Sequence, residues 1–124
     1  MAAKGADGAL FIDTNTLVYA NVLEAPLHKN ALTAITTAFQ DGRELWISRQ
    51  VIREYLATLT RPQTFGAVPK QTVLAQINQF LEQFNVADDS LAVTEKLLNL
   101  MTHYEIKKKK VHDANIVATM LAYS

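Results

Sequence analysis

Asp13, Glu54 and Asp113 are the residues of this chain whose type and setting point most directly to chemistry. Asp13 closes the apolar run Leu10-Phe11-Ile12. Glu54 stands in Ser48-Arg49-Gln50-Val51-Ile52-Arg53-Glu54-Tyr55-Leu56, and Asp113 in Val111-His112-Asp113-Ala114-Asn115-Ile116. An ionised carboxylate drawn toward an interior is costly unless it is paired, hydrogen-bonded or coordinated to a cation. Three of them with few basic partners nearby point to a hard metal ion, which prefers oxygen ligands.

Each acid also has a plainer reading. Asp13 follows a strand-like run and is placed to cap a helix, although Thr14, Asn15 and Thr16 could cap equally well. Asn15 fits either a turn or a group that orients the carboxylate or a metal-bound water. Glu54 falls on the border of the stripe formed by Val51, Ile52, Tyr55, Leu56 and Leu59 at about 100° per residue, where most glutamates face water. Asp113 aligns with Ile116, Val117 and Met120, which places it near the centre of an apolar face. As an N-cap it would be worth roughly 1 kcal/mol. Arg49, Arg53 and Arg61 read as solvated helix charges, and Asp88-Asp89 as helix-capping charge. His112 has no second histidine at a metal-ligand spacing. Lys107, Lys108, Lys109 and Lys110 read as a solvated loop or, because they lie just upstream of Asp113, as a rim that contacts phosphates.

The elements that must position these residues follow from the apolar pattern. Ala9 to Ile12 is a short continuous apolar run of the kind buried on both faces of a sheet, Glu44 to Ile47 looks like a second strand, and Asn85-Val86-Ala87 is a weaker third. Helices are expected over Leu17 to Val22, over His28 to Gln40 with Leu32, Ile35 and Phe39 on one face, and from a Ser48 cap to about Thr60, where Arg61-Pro62 stops it. After a loop with Gly66 and Pro69, further helices are expected over Thr72 to Phe84 (Val73, Ile77, Phe80, Leu81 and Phe84 on one face) and over Ser90 to Tyr104 (Leu91, Leu97, Leu98 and Met101 apolar). A last helix runs from Asp113 to about Tyr123. Strands alternating with helices predict an α/β sandwich around a parallel sheet, with ligands at the carboxyl ends of the strands, where Asp13 lies.

Composition narrows the classes. The 124 residues suffice for one domain, and 49% hydrophobic with 19% charged residues argues against disorder. Twelve basic residues balance 12 acidic ones, so no bulk field announces a polyanionic partner. The absence of cysteine excludes disulfides, zinc-thiolate sites and thiol catalysis, and permits a reducing cytoplasm. The first ten residues carry one lysine and no long apolar core, unlike a signal peptide. No run approaches the roughly 18 to 20 apolar residues that cross a bilayer. A cytoplasmic domain with no membrane association is expected.

Taken in order, Phe11-Ile12-Asp13-Thr14-Asn15, the Ser48-to-Glu54 helix and Val111-His112-Asp113-Ala114 resemble the three leading acidic motifs of PIN domains, in particular those of VapC-type toxin ribonucleases. Each motif alone is weak; the ordered set spans nearly the whole chain. The resemblance implies a three-layer α/β/α sandwich with a parallel sheet. Asp13, Glu54 and Asp113 would hold one or two Mg²⁺ or Mn²⁺ ions for hydrolysis of RNA phosphodiester bonds by a metal-bound water, with Asn15 in support. It also implies a homodimer held by a small VapB-like antitoxin as part of a type II toxin-antitoxin system. PIN domains usually continue into a strand with a Thr-x-Asn-x-x-Asp-Phe-like phrase that supplies a fourth site residue. This sequence stops at Tyr123-Ser124. The expectation is therefore a domain incomplete at its C-terminus, lacking its last strands, with the Ala9–Ile12 strand left as an open apolar edge that pairs with another chain. Two other readings compete: a non-catalytic PIN-like scaffold, and a phosphatase with a strand-end aspartate nucleophile, which usually wants a second acid where Asn15 stands.

Overall fold

In the computed structural model, which describes residues 2–4, 8–62 and 67–123, the apolar runs become strands because their side chains can be buried on two opposite faces. Strands β1 (Ala2–Lys4), β2 (Leu10–Ile12), β3 (Leu45–Ser48) and β4 (Asn85–Ala87) form one sheet in the order β1-β2-β3-β4. The pairs β2–β3 and β3–β4 are parallel, with Phe11 opposite Trp46 and Ile47 opposite Val86. Helices α1 (Thr14–Asn21) and α2 (His28–Gln40) connect β2 to β3, and α3 (Arg49–Leu59) and α4 (Lys70–Gln83) connect β3 to β4. Helices α5 (Leu91–His103) and α6 (Lys110–Ala122) follow. Gly66, part of the expected loop, lies outside the described residues.

Alternation along the strands builds three layers. Ile12, Leu45 and Ile47 join the core formed with Leu17, Tyr55 and Phe80 from the first four helices. Phe11 and Trp46 face the other way, stacked at 6.0 Å, and Tyr123 at the end of α6 closes on Trp46 at 5.5 Å. No helix among the described residues is long and apolar enough to cross a membrane.

Four expectations need correction. The β2 edge is not open: β1 pairs antiparallel along it, with Ala3 opposite Phe11, so the chain covers its own edge strand. On α2, Leu32 and Phe39 are exposed; Ala31, Ile35 and Ala38 face the core, because small residues let α2 lie close to α1. Leu81 of α4 and Leu91, Leu98 and Met101 of α5 are likewise exposed, while Val73 and Phe80, and Val93, point inward. Finally, α6 starts at Lys110, three residues before Asp113, and buries Ala114, Ala118 and Thr119. That rotation leaves Asp113 exposed in line with Val117 and Leu121 rather than at the centre of an apolar face.

Tyr55 anchors the helical layer. It is fully buried on α3, meets Phe80 edge-on at 5.0 Å, and its hydroxyl donates to Gln76 Oε1. The Gln76 amide in turn donates to the Asn21 carbonyl at 3.0 Å. Burial pushes the Tyr55 phenol above its ordinary value of 10.0. The native state then keeps a proton that the unfolded chain releases, so this contribution is complete below about pH 10 and is lost as pH rises beyond it. Tyr55→Phe is expected to cost about 1 kcal/mol at neutral pH, by leaving Gln76 Oε1 without its donor, and to flatten the alkaline decline. Urea melts at neutral and alkaline pH check both; equal alkaline slopes in the two proteins would rule out Tyr55 as the source.

Candidate active site

Because β2 and β3 are parallel, their carboxyl ends open on the same side of the sheet, and a helix begins at each. Asp13 follows β2 directly in an extended conformation (φ −83°, ψ 168°), and its Oδ1 accepts from the Thr16 backbone N–H at 2.8 Å. The capping role is therefore real. It occupies one carboxylate oxygen, and Asp13 still lines the crevice outside the strand end. Ser48 ends β3 and caps α3, its Oγ accepting from the Val51 N–H at 3.1 Å. This cap sets the rotation of α3, which presents Glu54 toward α1.

Glu54 is half-buried rather than solvated. Thr14 Oγ1 donates to its Oε1 at 2.6 Å, and Gln50 Nε2 donates to its Oε2 at 3.2 Å. Gln50 is itself buried, only 7% exposed, and reaches across to α6. Its amide donates to the His112 carbonyl at 2.8 Å, and its carbonyl oxygen accepts from Asn115 Nδ2 at 2.7 Å. One side chain thus ties Glu54 to the first turns of the helix that carries Asp113. That helix lacks a side-chain cap, and Asp113 in its first turn complements the positive end of the dipole.

Asp13, Asn15, Glu54 and Asp113 line one open cleft of about 450 Å³, together with Thr14 and Arg61. Three separate elements therefore bring carboxylates to one place, in a concentration of negative charge that attracts cations. Among the described residues, no three acids or histidines stand close enough together to grip a single ion. The lysine run is not in this cleft. Lys107 to Lys110 surround a separate surface hollow with Glu105, Lys107 pairing with Glu105 at 2.6 Å.

Reasoning from sequence missed Thr14, Gln50 and Asn115. Gln50 precedes Glu54 by four positions, the spacing at which helix side chains meet, and this was the one available signal. The partners of Gln50 on α6 lie more than 60 positions away and leave no local trace.

Comparison with known proteins follows the same lines. The sequence model for the PIN domain matches residues 10–124. No curated protein matches the chain. Among solved structures, VapBC2 from Rickettsia felis, bound to a DNA fragment from its promoter, aligns with a TM-score of 0.64 at 20% identity, covering 91% of this chain and 80% of that one. VapC20 from Mycobacterium tuberculosis, a Sarcin-Ricin loop cleaving toxin, aligns with a TM-score of 0.64 at 18% identity, covering 90% and 80%. At these identities the likeness is one of fold.

Proposed function

The chain belongs to the PIN domain family, and from that premise we propose that it is a metal-dependent endoribonuclease, the toxin of a type II toxin-antitoxin pair. The observation that carries this reading is the shared cleft: Asp13, Glu54 and Asp113 arrive there from a strand end and two helices, with Asn15 beside them. An all-oxygen donor set suits Mg²⁺ or Mn²⁺. Mg²⁺ keeps several of its waters, so carboxylates too far apart to grip a bare ion still suit a hydrated one. A divalent ion held there supplies positive charge to the phosphate oxygens and makes water a better nucleophile.

The chain's own residues have distinct tasks in this reading. Asp13, Glu54 and Asp113 hold the cation, and Asn15 orients a carboxylate or a water. Thr14 and Gln50 fix Glu54, and Lys107 to Lys110 meet the RNA backbone away from the acids. The named activity of VapC20 supports RNA as the substrate class, and VapBC2 supports a VapB-like antitoxin as partner. A homodimer belongs to the same reading.

The test is metal removal. Purified chain incubated with RNA is expected to cleave in millimolar Mg²⁺ or Mn²⁺, to stop on addition of EDTA, and to resume when metal is restored. Cleavage that continues unchanged in EDTA would overturn the metal dependence. A second reading, a non-catalytic PIN-like scaffold, is favoured by the absence of three close acids among the described residues. Calorimetry separates the two: no heat of Mn²⁺ binding at millimolar concentration points to the scaffold.

A further inference from the structure

A second cleft, of about 790 Å³, adjoins the acidic one, and Glu54, Ala57 and Arg61 line both. Beyond that shared wall it is bounded by Arg53, Asp89 and His112, over apolar surface from Leu97 and Val111. Resting on the nuclease reading, we propose that this second cleft is a nucleotide subsite: it takes the residue of single-stranded RNA next to the scissile phosphate, with Arg53 contacting the adjoining phosphate.

The argument begins with charge. A polyanionic strand crossing three carboxylates is repelled except where a cation is held or where Arg61 lines the cleft, so its next phosphate needs positive ground close by. The lysine run surrounds a different hollow. The second cleft is continuous with the acids and carries Arg53, whose ion pair with Asp89 is 4.0 Å long, with both side chains well exposed. An exposed pair of that length contributes little, so the guanidinium can exchange Asp89 for a phosphate, which it can bind through two parallel hydrogen bonds. Arg49 is a poorer candidate. Asp88 holds it at 2.8 Å, and it does not line the second cleft, whereas Arg53 does.

Shape and lining complete the case. The cleft lies within the roughly 300–1,000 Å³ range of small-ligand sites. Its apolar lining residues, Ala57, Leu97 and Val111, suit the face of a base, whereas a paired base in a duplex could not enter it. Asn115 on the wall donates to Gln50 at 2.7 Å, and Gln50 donates to Glu54 and to the His112 carbonyl, which makes that wall firm.

The test uses fluorescence anisotropy with a short single-stranded oligoribonucleotide. Arg53→Ala is compared with its parent, both carrying Asp13→Asn to suppress cleavage. Arg53 is exposed, so the fold is not at risk. Arg53→Ala is expected to weaken binding about tenfold and to lower the slope of log K against log salt by about 0.7, as one lost phosphate contact should. Arg53→Lys is expected to restore the slope. Unchanged affinity and slope in Arg53→Ala, while the chain with Asp13 intact cleaves the same oligonucleotide, would overturn the subsite and leave the nuclease standing. An intact chain that neither binds nor cleaves it would overturn both.

Discussion

Asp13→Asn is expected to lower RNA cleavage about a thousandfold, roughly 4 kcal/mol on the barrier, while leaving stability within about 0.5 kcal/mol of the unmodified chain. The two effects separate because Asp13 has two tasks. As the N-cap of α1 it accepts from the Thr16 N–H at 2.8 Å, and asparagine offers a carbonyl oxygen at the same place with equal capping preference. As one of the acids in the cleft it supplies negative charge to a cation, which asparagine does not. Asp13→Ala loses both the acceptor and the charge, and is expected to match the asparagine variant in activity while costing about 1 kcal/mol more in stability. Cleavage rates and denaturant melts on the three proteins measure this. Equal cleavage by Asp13→Asn and the unmodified chain would remove Asp13 from the site and leave it a cap.

That separation also shows which parts of the site were open to sequence reasoning. Asp13 was legible because an acid after a short apolar run is placed by the strand itself, and Ser48 because a cap residue preceded a periodic stripe. The PIN-like order of the three acids was legible for the same reason: it is carried by element sequence, not by contacts. Asp113 was misjudged in orientation. Ile116, Val117 and Met120 suggest an apolar face through residue 113, yet α6 packs through Ala114, Ala118 and Thr119, small residues that weigh little in a hydrophobic pattern but permit close approach. The same effect misplaced Leu32 and Phe39 on α2. The lysine run hid the true start of α6, since Lys110 begins the helix without any side-chain cap. Nor could the pairing of β2 be foreseen, because residues 2–4 carry no strand pattern of their own and form one only by lying against it.

Gln50 yields the second large effect, and it had no apolar pattern to announce it. Its single amide donates to Glu54 Oε2 and to the His112 carbonyl and accepts from Asn115 Nδ2, joining the general position of Glu54 to that of α6. Gln50→Ala strips partners from three groups at once. Groups left unsatisfied cost about 1–3 kcal/mol each when buried. Glu54 and Asn115 are only half-buried, so water recovers part of this, and a net loss of about 2 kcal/mol is expected. Cleavage is expected to fall about a hundredfold at temperatures well below melting, because misplacement of an acid by about 1 Å is enough for that loss. Gln50→Glu makes the sharper test. It preserves size and the acceptor for Asn115, but it removes both donors and sets a second carboxylate against Glu54. The like charges raise the proton affinity of the pair in the folded state. The variant should therefore be least stable relative to the parent at neutral pH and should regain stability as pH falls and one proton is taken up. Were residue 50 not in contact with Glu54, the variant would show no such pH dependence of stability. Asn115→Ala, which loosens Gln50 without touching Glu54, is expected to fall between the parent and Gln50→Ala in activity. Loss of stability in Gln50→Ala with cleavage unchanged below melting would show that Glu54 does not depend on Gln50 for its place in the cleft.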